Sequence, residues 1–172
     1  SGVGGYIFPH WFIVQYVELS PNKHKRRRLV YKDELNDRSK FFVDDRARSV
    51  VPVRFVRACR KGHVGDIQWR SFVHRGEDLC FLPIWMEERG TTGDLSDIWI
   101  VCQCGANRCV REATHKQALG KCNGSRPWLA DFDTENCGED NRLLIRTASN
   151  AYFAQVLSVI SIPDTMSKAE EK

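Results

Sequence analysis

Apolar residues come in short blocks along this chain, most of strand length and few with a helical period. Residues 6–19 are aromatic and β-branched and predict one strand or two short ones, broken at Ser20, Pro21 and Asn22. A basic run then falls on a predicted loop before Leu29, Val30 and Tyr31 resume a short strand. Residues 33–49 are mostly charged and read as a surface excursion, with Phe41, Phe42 and Val43 dipping back toward the core. Over 50–58 the alternation is clear, with Val51, Val53 and Phe55 on one face, so one strand is predicted. It delivers Cys59 into a turn containing Gly62 and His63. Asp66 is placed to cap a short helix ending near His74, with Ile67, Trp69, Phe72 and Val73 packing inward. Strands are predicted over 81–86, 97–101, 141–147 and 151–162, and a helical segment over 111–119.

The expected fold class is α+β: a β-rich domain with zinc-ribbon-like metal sites. Residues 1–164 form its single domain and 165–172 a disordered charged tail. At 172 residues the chain can bury a real hydrophobic core, so metal need not be its sole support. Hydrophobic residues at 42% and charged residues at 28% are ordinary for a globular protein. The longest apolar runs, 11–14 and 156–162, are far too short to span a bilayer as helices. No secretory signal pattern opens the chain, which begins Ser-Gly without an initiator Met.

The formal charge of +4 allows a nucleic-acid partner without requiring one. Its distribution is more informative. Lys23, Lys25, Arg26, Arg27 and Arg28 crowd around His24, whereas Asp131, Asp133, Glu135, Glu139 and Asp140 gather late. Lys25, Arg26, Arg27 and Arg28 are the candidate phosphate contacts, weighed about evenly against a solvated hairpin loop. Trp11, Trp69, Trp85, Trp99 and Trp128 all sit in apolar contexts that read as core, so they add little to a stacking case.

Seven cysteines is an odd count for a disulfide framework, and several lie beside His or Gly in polar turns. Zinc takes four soft or borderline ligands in a tetrahedron, which thiolate and imidazole supply. Grouped by nearness in sequence, Cys59, His63, His74 and Cys80 form one expected site, and Cys102, Cys104, Cys122 and Cys137 a second. Cys109 is left as the odd cysteine. One or two structural Zn2+ ions are expected, in closed sites without an open position for water. The bland reading of the same residues is small buried thiols and ordinary histidine hydrogen bonds.

Phosphate-loop, dinucleotide, HExxH and GxSxG signatures are absent from the sequence. A Cys–His nucleophile could be drawn from Cys59 with His63 or His74, but ligation uses the same atoms more economically. A metal-dependent nuclease could use the carboxylates of 131–140, although a solvated acidic loop is the simpler account.

Three long blocks carry a family resemblance. The first, Val51-Pro-Val-Arg-Phe-Val-Arg-Ala-Cys-Arg-Lys-Gly-His-Val-Gly-Asp-Ile-Gln-Trp69, continues to Phe72-Val-His74. The others are Cys102-Gln-Cys-Gly with Gly120-Lys-Cys-Asn-Gly-Ser-Arg-Pro-Trp-Leu129, and Leu143-Leu-Ile-Arg-Thr-Ala-Ser-Asn-Ala-Tyr-Phe153 leading to Ser158-Val-Ile-Ser-Ile-Pro163. In order and content they resemble the DrmB proteins of the bacterial DISARM anti-phage system, from about Phe8-Pro-His-Trp11 onward. Such proteins are much longer, so the chain resembles an N-terminal portion or a short relative. They often carry a further cysteine knuckle after that Phe-Pro-His-Trp, where this chain reads Phe12-Ile-Val-Gln-Tyr16. The resemblance implies a cytoplasmic, non-catalytic partner of a DrmA-like helicase, acting on DNA alongside a methyltransferase. The alternatives are the metal-dependent nuclease and a pure protein-docking module that never touches nucleic acid.

Overall fold

The computed structural model describes residues 8–77, 80–123, 125–126, 131–132 and 137–146. Its strands, in chain order, are β1 (Trp11–Val14), β2 (Glu18–Leu19), β3 (Lys25–Tyr31), β4 (Phe41–Val43), β5 (Arg46–Arg48), β6 (Val50–Pro52), β7 (Phe55–Ala58) and β8 (Val64–Gly65). The helix α1 (Trp69–Val73) follows, then β9 (Ile84–Glu88), β10 (Ile98–Cys102), β11 (Asn107–Cys109), β12 (Ser125–Arg126), β13 (Asp131–Phe132) and β14 (Arg142–Ile145). The domain is β-rich α+β, as the apolar blocks predict. A seven-stranded sheet runs β11-β10-β9-β3-β1-β6, with β2 beside β3, and a three-stranded sheet runs β14-β7-β8.

The core lies between these sheets and α1. Trp69 is fully buried and meets Phe55 and Phe72 edge-on, at centroid distances of 6.3 and 5.7 Å. Leu29, Ile84 and Ile100 from three adjacent strands pack against the same cluster. Truncating a buried ring of this kind costs about 3–5 kcal/mol.

Four expectations are corrected. Residues 50–58 are two strands rather than one. β6 pairs with β1 on the edge of the large sheet, where Pro52 opposes Phe12 and the Val53 N–H still reaches the Trp11 carbonyl at 3.0 Å, and the chain bends at Arg54 before β7 joins the small one. Asp66 does not cap α1; it accepts the His10 backbone N–H at 2.7 Å and pairs with His10 Nδ1 at 2.7 Å. Gln68 takes the N-cap position without a side-chain cap bond. The predicted helix over 111–119 is only a 3-10 turn, Val110–Thr114.

The fourth correction concerns the basic run, which is a strand. Lys25 to Arg28 pair residue for residue with Glu88, Glu87, Met86 and Trp85 of β9. Alternation therefore puts Arg26 and Arg28 on one face of the sheet and Lys25 and Arg27 on the other. Arg26 stacks over Trp85 at 4.0 Å and reaches Glu18 at 3.7 Å. Arg28 sits 4.9 Å from the Phe41 ring and 3.8 Å from Glu34.

The strand expected over 151–162, the tail at 165–172, Trp128, and the side chains of Asp131, Asp133 and Glu135 lie outside the described residues. No helix among the described residues is long and apolar enough to cross a membrane.

Candidate metal centres

Eight side chains converge into two quartets, each of three thiols and one imidazole. Cys59, His63, Cys122 and Cys137 form the first; His74, Cys80, Cys102 and Cys104 form the second. All eight belong to the sets expected from sequence, but the partners differ. His74 and Cys80 do not meet Cys59 and His63, and Cys102 and Cys104 do not meet Cys122 and Cys137. The quartets are nested along the chain, the second lying wholly between the two halves of the first.

Strand pairing dictates that nesting. β14 runs antiparallel to β7, with Arg142 opposite Ala58, and so carries the preceding segment alongside Cys59. Cys59 and Cys137 Sγ then lie 3.8 Å apart across 78 positions of sequence. On the large sheet β10 runs antiparallel to β9, with Cys102 opposite Ile84, which brings Cys102 Sγ to 3.7 Å from Cys80 Sγ.

Each knuckle has its own local cause. The Cys59 turn closes through Gly62 N–H to Cys59 carbonyl at 3.1 Å and Cys59 N–H to His63 carbonyl at 3.0 Å. Gly62 there adopts φ +87, open to glycine and strained for other residues. Cys59 Sγ consequently lies 3.4 Å from His63 Nδ1. His74 is the C-cap of α1, whose end is a Schellman closure: Gly76 N–H to Ser71 carbonyl at 2.9 Å and Arg75 N–H to Phe72 carbonyl at 3.2 Å. The His74 ring bonds the Arg70 carbonyl through Nδ1 at 2.7 Å, which turns Nε2 toward Cys104 Sγ at 3.4 Å. A histidine oriented by a backbone carbonyl through its far nitrogen is the usual support of a metal-binding imidazole. Arg70 also donates to the carbonyls of Cys80 (3.1 Å) and Leu82 (2.7 Å), tying the Cys80 segment to α1.

The spacings fit zinc. With metal–sulfur bonds of about 2.3 Å and metal–nitrogen bonds of about 2.0 Å, a tetrahedron has S–S edges of about 3.8 Å and S–N edges of about 3.5 Å. One S–S and one S–N edge of each quartet match, at 3.8 and 3.4 Å in the first and 3.7 and 3.4 Å in the second, and all four donor atoms of each lie within 4.8 Å of one another.

The electrostatics of the two differ. Burial opposes ionisation of Cys59, but backbone N–H groups of His63 and Lys61, with the Cys122 and Cys137 side chains, outweigh it and lower its pKa. Burial pushes the Cys102 thiol up to about 11. Cys104 is exposed, and the Ala106 backbone N–H, with His74 and Cys102, draws it down to about 7. Cys109 belongs to neither quartet and donates to the carbonyls of Leu95 and Ser96 at 3.4 and 3.5 Å. Asp140, one of the late acids, is paired with Lys121 at 2.6 Å. Sequence reasoning missed the Arg70 brace, since nothing in its spacing distinguishes it from a solvated helix arginine.

A family model described as "Domain of unknown function (DUF8724)" matches residues 1–153. Over 164 residues the chain is 30% identical to "DISARM protein DrmB" of Bacillus paralicheniformis, covering 94% of this chain and 29% of that protein. The chain thus spans less than a third of the length of the curated relative it matches.

Proposed function

The chain belongs to the family described as Domain of unknown function (DUF8724) and is DrmB-like, and from that premise we propose that it is a non-catalytic, zinc-built module of a bacterial phage-defence complex. Cys59, His63, Cys122 and Cys137 would hold one Zn2+, and His74, Cys80, Cys102 and Cys104 the other. Zinc supplies the cross-link; the protein supplies four ligands to each ion, which favours a structural role over Lewis-acid chemistry. The observation that carries this reading is the pair of quartets at tetrahedral spacing.

By analogy with its DISARM relative, the module would act in the cytoplasm, docking on a DrmA-like helicase and contacting DNA. Of Lys25, Arg26, Arg27 and Arg28, the first and third suit phosphate best. Arg26 and Arg28 are committed to Trp85, Phe41 and carboxylates, whereas Lys25 is exposed and Arg27 holds a surface pair with Glu88 at 3.1 Å. Co-expression with a DrmA-like helicase tests the docking, and duplex binding with plasmid incubation in Mg2+ or Mn2+ tests the rest. The proposal expects co-purification, salt-sensitive duplex binding weakened in the Lys25→Gln/Arg27→Gln variant, and intact plasmid. Plasmid cleavage by the pure protein would establish the nuclease alternative instead, and helicase capture without any DNA binding the docking module.

A further inference from the structure

Two clefts meet on α1, and neither involves the metal-facing side chains. The first, of about 540 Å³, is lined by Arg57, Arg75 and Arg108 with Gln68, Ser71 and Gln117, and has no carboxylate among its described lining residues. Arg57 lies across Gly65, where an added Cβ would come within 2.6 Å of its Nη2. Neutral acceptors fix it: the Asp66 carbonyl at 2.8 Å and the side-chain oxygens of Asn141 and Asn123, each at 3.3 Å. Arg75 and Arg108 share a single carboxylate, Glu112, at 3.2 Å each. Among the described residues, three guanidinium groups thus meet one carboxylate, which leaves this cleft positive.

The second cleft, of about 570 Å³, shares Gln68 and Ser71 with the first and adds Trp11, Tyr31, Arg70 and Phe81. Trp11 is 5% exposed and its indole N–H has no hydrogen-bond acceptor among the described residues. Phe81 is 80% exposed, so most of its ring is open to solvent. Its backbone is held, because Arg70 bonds the carbonyls on either side of it, and the same guanidinium sits 6.0 Å from the ring. The acid here, Glu34, is already held by the Tyr31 N–H at 2.7 Å and by Arg28 at 3.8 Å.

We propose that this face of α1 binds single-stranded nucleic acid, with phosphates in the arginine cleft and an unstacked base on Phe81. A cationic groove beside an exposed aromatic platform is the combination that grips single strands, because every base has a face to stack and every nucleotide a phosphate. The inference rests on the nucleic-acid part of the reading above for its class of partner. It places that partner on a different surface from β3.

Fluorescence anisotropy of a labelled oligo-dT of about 12 nucleotides, over a salt series, tests it in the zinc-loaded chain. Phe81→Ala should weaken binding about tenfold. Arg75→Gln should flatten the log–log salt dependence by about 0.7. Arg46→Gln, on the exposed β4–β5 hairpin, should change nothing, and all three should keep their zinc. Wild-type binding by both Phe81→Ala and Arg75→Gln would overturn the inference. If Lys25→Gln/Arg27→Gln then lost duplex affinity, DNA contact would stand at β3 alone; no binding of either DNA form by the wild type would sink both.

Discussion

The two quartets share a donor set but not a setting. Cys59, His63 and Cys122 are buried, and their knuckles join the small sheet to the segments around Cys122 and Cys137. In the other quartet only Cys102 is buried; His74 and Cys80 are half-buried and Cys104 is exposed. The first closes contacts that are distant in sequence, the second a shorter excursion between α1 and the end of β10. A metal in the first would therefore substitute for core across a long loop, and a metal in the second would finish a region already organised by Trp69 and Arg70.

The largest effect should follow from cutting the first quartet. Cys122→Ser is expected to destabilise the chain by several kcal/mol and to abolish cooperative unfolding by circular dichroism, given that structural zinc contributes roughly 10–16 kcal/mol in small metal-folded peptides. Cys104→Ser should lose one metal yet keep a cooperative transition; equal damage from both substitutions would erase the distinction. Next comes Trp69→Ala, expected to cost about 3–5 kcal/mol in denaturant unfolding and to loosen the second site, which α1 carries. A smaller effect is kinetic: under a chelator the second quartet should release metal first, seen as a fast phase with a metallochromic dye, which Cys104→Ser removes.

The smallest is a matter of protonation. Once the second site is stripped, Cys104 should be the thiol that iodoacetamide labels first, as judged by peptide mass mapping. Thiolate is the nucleophile, so its labelling should rise as pH passes up through about 7, while Cys102, near 11, stays protonated and slow. Faster labelling of Cys59 would reverse the ranking of the two environments.

Much of this architecture is legible in the sequence, and what is not has a physical reason. Blocks such as 98–102, rich in β-branched residues, and 142–145, a short apolar run, announce themselves by strand length, and Gly62 marks the Cys59 knuckle because a left-handed turn returns the chain there. The basic run misleads because arginine is usually solvated; here Trp85 and Phe41 give Arg26 and Arg28 stacking partners that strand register alone supplies. Ligand partners mislead for the same reason. Nearness along the chain suggests Cys59 with Cys80, but the β7–β14 pairing brings Cys137 to Cys59, and no local spacing encodes a pairing between strands so far apart. Phe81 reads as the start of a strand, yet β9 begins only at Ile84 and leaves that ring in solvent.

The nested pairing is tested most directly by zinc content per chain in two double variants, Cys59→Ser/Cys122→Ser and Cys59→Ser/Cys80→Ser. If the quartets are as described, the first pair removes ligands of one site and should lose one zinc, while the second strikes both sites and should lose two. The opposite pattern, two lost with Cys122 and one with Cys80, would mean that ligands are shared between neighbours in sequence and would contradict the account.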